Sequence, residues 1–207
     1  MSENTYLPSE LAHWNDMFSD KHKKHFYEFV RSTFSGTHCP FILILDSHDD
    51  DSDKLLSEMK AYVGKINTNI VHSVIQSDEL YVVCDKNLIV YTRIDETDDY
   101  VLQKIISQLK EITSSTTISI IDPVSGSPTS SFIKANCILI TNPASKLLKD
   151  PGLLRRAIAT EKFTEAIINE YHIKENNAER EQECQHEQEH EQEHEQEHEQ
   201  EHEQEHE

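Results

Sequence analysis

The fold is decided by FILILDSHDDDSDKLLSEMKAYVG, residues 41–64. Its first five residues, FILIL (41–45), form a continuous apolar run of strand length, which predicts a strand buried on both faces. Apolar residues then recur every three or four positions from Leu55 to Val63, which predicts an amphipathic helix. Gly64 is a natural helix stop. A buried strand followed by an amphipathic helix is typical of α/β proteins.

The same alternation continues along the chain. Further strands are predicted at NIVHSVI (69–75), TISIID (117–122) and NCILIT (136–141). Apolar stripes predict helices over 97–112, over 150–158 after the N-cap pair Asp150-Pro151, and from about 160 onwards. In ELYVVCDKNLIVYTRID (79–95), two β-prone runs flank a turn-prone centre, which predicts an antiparallel hairpin.

Two segments carry weaker patterns. Residues 1–38 are expected to hold one or two helices, interrupted by the charged patch DKHKKH (20–25). VSGSPTSS (124–131) is expected to lack regular structure, with Phe132 and Ile133 pinned to the core. The fold class is therefore predicted as α/β, with one layered domain over 1–175 whose mixed β-sheet is flanked by helices.

Residues 176–207 form a low-complexity tail of glutamate, histidine and glutamine. The tail holds 14 acidic residues against the single base Arg180, so it carries −13 of the formal net charge of −20. Its histidines recur every four residues, a spacing that could chelate a metal on a helix. However, the tail has almost no apolar side chains to bury and many like charges, so we expect it to be disordered.

Charge and composition exclude several classes of function. The chain has no basic stripe with interleaved aromatic residues, so neither nucleic acid nor a membrane surface is an expected partner. Its start shows no secretory pattern and no apolar run is long enough to span a bilayer, so the expected location is the cytoplasm, with the nucleus as an alternative. The four cysteines lack metal-site spacing and are expected to be buried thiols: Cys39, Cys84, Cys137 and Cys184.

The sharpest candidate for chemistry is the acidic segment LDSHDDDSD (45–53), which follows the first strand. Asp46, His48 and Asp50 could hold magnesium for phosphoryl transfer, because carboxylates at a strand end suit a hard cation. The alternative is that these acids cap the following helix and complement its dipole. The second interpretation is favoured, because no second acidic strand end with a matching lysine or threonine partner is evident, and TISIIDP offers only Asp122.

Other catalytic patterns are absent from the sequence. The four glycines are scattered and form no phosphate-binding loop. Ser125, Ser127 and Ser130 lie in a loop without a nucleophile elbow, and His72 and Asp122 are only arbitrary partners for them. His72 is expected to lie in the core or on a sheet face. We therefore expect that the protein is not an enzyme and that it has no catalytic, cofactor-binding or metal-binding residues.

The stretch ELYVVCDKNLIVYTRIDETDDYVLQKIISQLKEITSSTTISIID (79–122) resembles the middle of the proteasome assembly chaperone 1 family. CPFILILDSHDD (39–50) and EKFTEAIINEYHI (161–173) are similar to that family's first core strand and terminal helix. The chain departs from the group at Glu205-His206-Glu207, where many members end in a hydrophobic-tyrosine-any-residue docking motif.

This resemblance implies a non-enzymatic chaperone. Such a protein forms a heterodimer with a related second assembly chaperone and holds α-type proteasome subunits while the core ring assembles. Partner contacts are then expected on the terminal helices and sheet edges, with Phe163 and Tyr171 as candidates. Two alternatives stay open: a longin-like or roadblock-like trafficking module, and a magnesium-dependent phosphoryl-transfer enzyme built on Asp46, His48 and Asp50.

Overall fold

The structure, a computed structural model, describes residues 9–76, 83, 85–94, 98–122 and 124–169. By its internal contacts the chain divides into two units, Met1–Glu165 and Ala166–Glu207. The helices of the first unit are α1 (Ser9–Ala12), α2 (Asp20–Ser35), α3 (Asp50–Val63), α4 (Asp99–Ser114) and α5 (Pro151–Leu154). Short 3₁₀ helices lie at His13–Met17, Lys65–Asn67 and Lys146–Lys149. Residues 161–165 are helical, as are residues 166–169 of the second unit.

The strands are β1 (Ile42–Asp46), β2 (Thr68–Val71), β3 (Leu88–Tyr91), β4 (Thr117–Ile121), β5 (Pro128–Phe132), β6 (Asn136–Thr141) and β7 (Ala157–Ala159). Five of them form a parallel sheet in the order β2-β3-β6-β1-β7. The other two, β4 and β5, pair antiparallel in a second sheet. The predicted α/β fold is confirmed, and its parallel and antiparallel strands are divided between two sheets.

One face of the parallel sheet packs against α2 and α3. Leu43 and Leu45 of β1 share a buried cluster with residues of both helices, among them Phe29 and Met59. Burial of this apolar surface, at roughly 25 cal/mol per Å², is the main force that holds these helices on the sheet. The stripe from Leu55 to Val63 forms α3 as predicted, and Asp49 caps that helix by accepting a hydrogen bond from the Ser52 amide.

The opposite face of the sheet packs against α4. Because side chains alternate along a strand, Ile42 and Ile44 lie on the face opposite to Leu43 and Leu45. Tyr91 of β3, which is fully buried, donates a hydrogen bond to Gln108 of α4 at 3.0 Å. The two faces of the parallel sheet are therefore covered by different helices, which explains why its central strands are apolar on both sides.

The connections after neighbouring strands leave toward opposite faces. The chain after β1 enters α3, whereas the chain after β6 enters α5, which contacts α4. Lys110 of α4 donates to Asp150, the N-cap of α5, at 2.7 Å. Such a reversal between adjacent parallel strands opens a crevice at their carboxyl ends, where α/β proteins bind ligands.

Four local predictions are wrong. The antiparallel hairpin predicted over 79–95 is not formed by β3, because both neighbours of β3 are parallel strands, β2 and β6; residues 79–82, 84 and 95 lie outside the described residues. The patch 20–25 begins α2 and does not interrupt a helix. The helix predicted over 150–158 ends at Leu154, and residues 157–159 form β7 beside β1. The segment 124–131 contains most of β5, since Ser and Thr side chains are acceptable in a strand that faces water.

The predicted boundary at residue 175 and the predicted disordered tail lie outside the described residues. Each helix in the described part of the chain is too short or too polar to span a bilayer.

Candidate functional site

The acidic segment 45–53 is used mainly to start α3. The Asp46 carboxylate accepts a hydrogen bond from the His48 amide at 2.9 Å, which closes the turn after β1. Asp50 lies in the first turn of α3, where its charge complements the helix dipole. His48 is exposed, and its Nδ1 atom lies 3.7 Å from Asp46 Oδ1. The helix-capping interpretation of this segment therefore has direct support in the contact of Asp49 with Ser52 and in the position of Asp50.

Asp49 is also neutralised by a base. Lys162 donates a hydrogen bond to Asp49 Oδ1, although the two residues are far apart in sequence. This bond from the lysine ammonium is the main reason that the pKa of Asp49 is lowered, and the same bond raises the pKa of Lys162. Among the described residues, no group of three or more His, Cys, Asp or Glu side chains is placed to hold a metal ion.

An open crevice of about 540 Å³ lies at the carboxyl edge of the parallel sheet. The residues that follow three of its strands line it: Ser47 and His48 after β1, Thr92 and Arg93 after β3, and Asn142 after β6. Asp53, Leu56 and Lys60 of α3 complete one wall, and apolar side chains of three strands, Ile70, Val90 and Ile140, complete the lining. We call this feature the carboxyl-edge crevice.

The second candidate surface is the segment 116–133, which we call the serine-rich hairpin. It contains β4 and β5, and Asp122 is the only charged residue in its sequence. Ile118 and Ile120 are buried, each about 3% exposed. The backbone amide of Ile133, also buried, donates to the Thr116 carbonyl at 2.9 Å and extends the ladder. One face of the hairpin is thus anchored in the first unit, and α4 contacts β4.

The other face of the serine-rich hairpin carries exposed apolar side chains. Phe132 is 73% exposed and pairs across the ladder with Thr117, while Ile121 is 38% exposed and pairs with Pro128. By the alternation that buries Ile118, these side chains lie on the outward face. The sequence predicts that Phe132 is pinned to the core, and that prediction is wrong.

The tip of the hairpin is ordered by Asp122. Its carboxylate accepts hydrogen bonds from the Ser125 hydroxyl at 2.7 Å and from the Val124 amide at 2.9 Å. These bonds, the Ser125 bond first, lower the pKa of Asp122. Gly126 has a φ of 68°, a left-handed conformation that closes the turn. Val124 at this tip is 93% exposed, so a third apolar side chain is presented to solvent.

The serines considered as nucleophiles are part of this hairpin. The Ser125 hydroxyl donates a hydrogen bond to Asp122, and the same hydroxyl oxygen accepts a hydrogen bond from the Ser127 amide at 3.3 Å. Ser130 is an exposed residue of β5. His72 lies one residue beyond the end of β2, in the other sheet, and is exposed, so the expectation of a core or sheet-face histidine is wrong.

Of the two partner-contact candidates on the last predicted helix, Phe163 is 1% exposed and belongs to the core. It therefore contributes no surface for a partner, and that prediction is corrected. Tyr171 lies outside the described residues. Cys39 and Cys137 are buried as predicted, and burial raises the pKa of each thiol to about 12. Cys84 and Cys184 lie outside the described residues.

The sequence contains a signal for each of these two surfaces. Polar residues directly follow three apolar strands, at Ser47, Thr92 and Asn142, which marks the carboxyl edge of a parallel sheet. Segment 116–133 is almost free of charged residues in a chain that is 28% charged.

No protein-family model matches this chain, and none of the curated proteins matches it either.

Proposed function

We propose that this protein is a non-enzymatic chaperone that assists assembly of the 20S proteasome core, and that it acts as a heterodimer with a related second assembly chaperone. The observation that carries the proposal is the set of exposed apolar side chains on the serine-rich hairpin, Ile121 and Phe132 on its outward face and Val124 at its tip, in a segment with a single charged residue. The resemblance of segment 79–122 to proteasome assembly chaperone 1 supplies the identity of the partners.

The composition of this face suits protein recognition. The centres of protein interfaces are depleted in charged residues and enriched in aromatic residues, and Phe132 with its Ser and Thr neighbours fits that description. The strands β4 and β5 are the only members of their sheet in the described chain, so each presents one free edge to pairing. We assign the contact with the second assembly chaperone to this face.

The mechanism is steric. An incomplete ring of α-type subunits exposes apolar interfaces that pair wrongly or aggregate. A reversible cap covers such an interface until the correct neighbour replaces it, so specificity comes from blocking wrong partners. Because this work is done on proteasome subunits, the proposal places the protein in the cytoplasm, with the nucleus as an alternative.

The test is affinity isolation of the tagged full chain, followed by identification of the proteins that copurify. The unaltered protein is expected to recover free α-type proteasome subunits and a second assembly chaperone of similar size. Replacing Phe132→Ser and Val124→Ser together should weaken recovery of the second chaperone by about tenfold or more, because exposed aromatic residues at an interface centre carry much of its binding energy.

Tyr100→Ser provides the matched control. Tyr100 is another exposed aromatic residue, 69% exposed, but it lies in the first turn of α4. This variant should recover partners as the unaltered protein does, and all variants should show the same thermal unfolding. If α-type subunits are absent from every isolation, or coat and GTPase components appear in their place, the proposal is wrong. Equal recovery by the hairpin variant would reject the assignment of the surface.

A further inference from the structure

We propose that the carboxyl-edge crevice binds a small organic phosphate, namely a phosphomonoester that also carries an apolar or planar group. This inference does not rest on the chaperone proposal, because it concerns the other sheet and a different set of residues. Its basis is the juxtaposition of two cations, several hydroxyl and amide groups and an apolar lining at the end of three parallel strands.

The location is the first argument. The crevice spans the carboxyl ends of β3, β6 and β1, and it includes the segments after β6 and β1, which lead to opposite faces of the sheet. Side chains that follow such strands converge on a concave site without any further adjustment of the fold, which is why this place binds ligands in many α/β proteins. Here the segments after three strands bring Ser47, Thr92 and Asn142 to the crevice, so its lining contains two hydroxyl groups and one amide group.

The charge of the crevice is the second argument. Lys60 and Arg93 both line it, and neither has a carboxylate within ion-pair distance among the described residues. Among the described residues that line the crevice, Asp53 is the only acidic one, so this part of the lining is net positive although the chain carries a formal charge of −20. Two cations with hydroxyl groups nearby suit a phosphate dianion, and Arg93 offers the planar fork that binds phosphate oxygens in pairs.

The position of Arg93 supports the same inference. It has a φ of 59° and is the only described non-glycine residue with a positive φ. That conformation is uncommon for an arginine, and unusual backbone conformations of this kind concentrate at functional sites. Arg93 lies in the turn after β3 and lines the crevice, so this uncommon backbone conformation occurs at the proposed site.

The lining also predicts that phosphate alone is an incomplete ligand. Leu56, Ile70, Val90 and Ile140 provide an apolar surface beside the polar groups. An inorganic anion cannot cover this surface, whereas a ring or short alkyl chain attached to the phosphate can, with a gain from apolar burial. The volume of about 540 Å³ lies in the range of small-molecule sites.

The test uses three probes on the full chain, with binding followed by titration calorimetry and by amide chemical shifts. Phenyl phosphate combines both features, inorganic phosphate has only the anion, and phenol has only the ring. Phenyl phosphate is expected to bind at least about tenfold more tightly than either fragment. Its shifts should fall on residues 47–48, 92–93 and 142.

The variants Arg93→Gln and Lys60→Gln should each weaken phenyl phosphate binding by about tenfold, because each removes a charge-assisted contact. Lys24→Gln is the matched control: Lys24 is exposed on α2 outside the crevice, and its loss should leave the affinity unchanged. Absence of phenyl phosphate binding at millimolar concentration would overturn the inference. It would also be overturned by equal binding of inorganic phosphate, or by variants that bind as the unaltered protein does.

Discussion

Asn136, at the start of β6, offers the sharpest test of how the first unit is held together. Asn136 is 1% exposed, and its side chain makes three hydrogen bonds, one to α2 and two to the segment between α2 and β1. Oδ1 accepts from the Cys39 amide at 2.7 Å, and Nδ2 donates to the Thr37 carbonyl and the Thr33 hydroxyl, each at 3.1 Å. One buried amide thus fixes where the chain enters the central strand β1.

Replacing Asn136→Leu keeps the size of this side chain but leaves the Cys39 amide and the Thr37 carbonyl without their partner. An unpaired buried group costs about 1–3 kcal/mol, so we expect the free energy of unfolding to fall by about 3 kcal/mol. With a urea dependence of about 2 kcal/mol per molar, the unfolding midpoint should fall by roughly 1.5 M. Urea titration followed by circular dichroism measures both quantities.

Thr33→Val is the control for this change. The Thr33 hydroxyl accepts from Asn136 and donates to the Phe29 carbonyl at 2.7 Å, but it has no bond to the Cys39 amide, which precedes β1. Loss of the Thr33 hydroxyl should lower the free energy of unfolding by about 1 kcal/mol. The double variant should lose less than the sum of the two, because both changes remove the same Asn136 to Thr33 bond. A loss in Asn136→Leu no greater than that in Thr33→Val would refute the reasoning.

Two further predictions concern titration and thiol reactivity. The pKa of Asp49 is lowered by Lys162, so the stability from this group is present above its ordinary pKa near 3.8 and is lost as pH falls through the lowered value. Asp49→Asn keeps the helix cap but should flatten the dependence of the unfolding free energy on pH below about 4. Urea titrations at a series of pH values measure this dependence. An unchanged slope of unfolding free energy against pH would contradict the prediction. Burial raises the pKa of Cys39 and of Cys137 to about 12, so a thiol reagent at pH 8 should label them only in urea. Peptide mass spectrometry measures the labelling. Labelling of the native protein at rates typical of free thiols would contradict their burial.

The local elements were largely predictable from the sequence. The stripe from Leu55 to Val63 forms α3 and the run 136–141 forms β6, because the period of apolar residues matches the geometry of each element. The N-caps Asp49 and Asp150 were equally predictable, since a short acceptor side chain beside free helix amides satisfies them locally.

The candidate surfaces were much harder to predict. Phe132 was expected in the core because it is aromatic, but its exposure depends on the register of β4 with β5. The crevice joins Ser47, Arg93 and Asn142, which are separated by long stretches of sequence. Their proximity follows from the strand order, and no local pattern encodes it.

By itself, the sequence determined the main strands and helices, such as β1, β6 and α3, that the fold is α/β, and that charge is concentrated at one end of the chain. The tertiary structure decided which strands are neighbours. The turn-prone residues 85–87 favoured a hairpin, yet β3 lies between β2 and β6 because a strand that is apolar on both faces gains most when it is buried in the middle of a covered sheet. Local patterns fix the conformation of a segment, whereas burial of both faces fixes its partners.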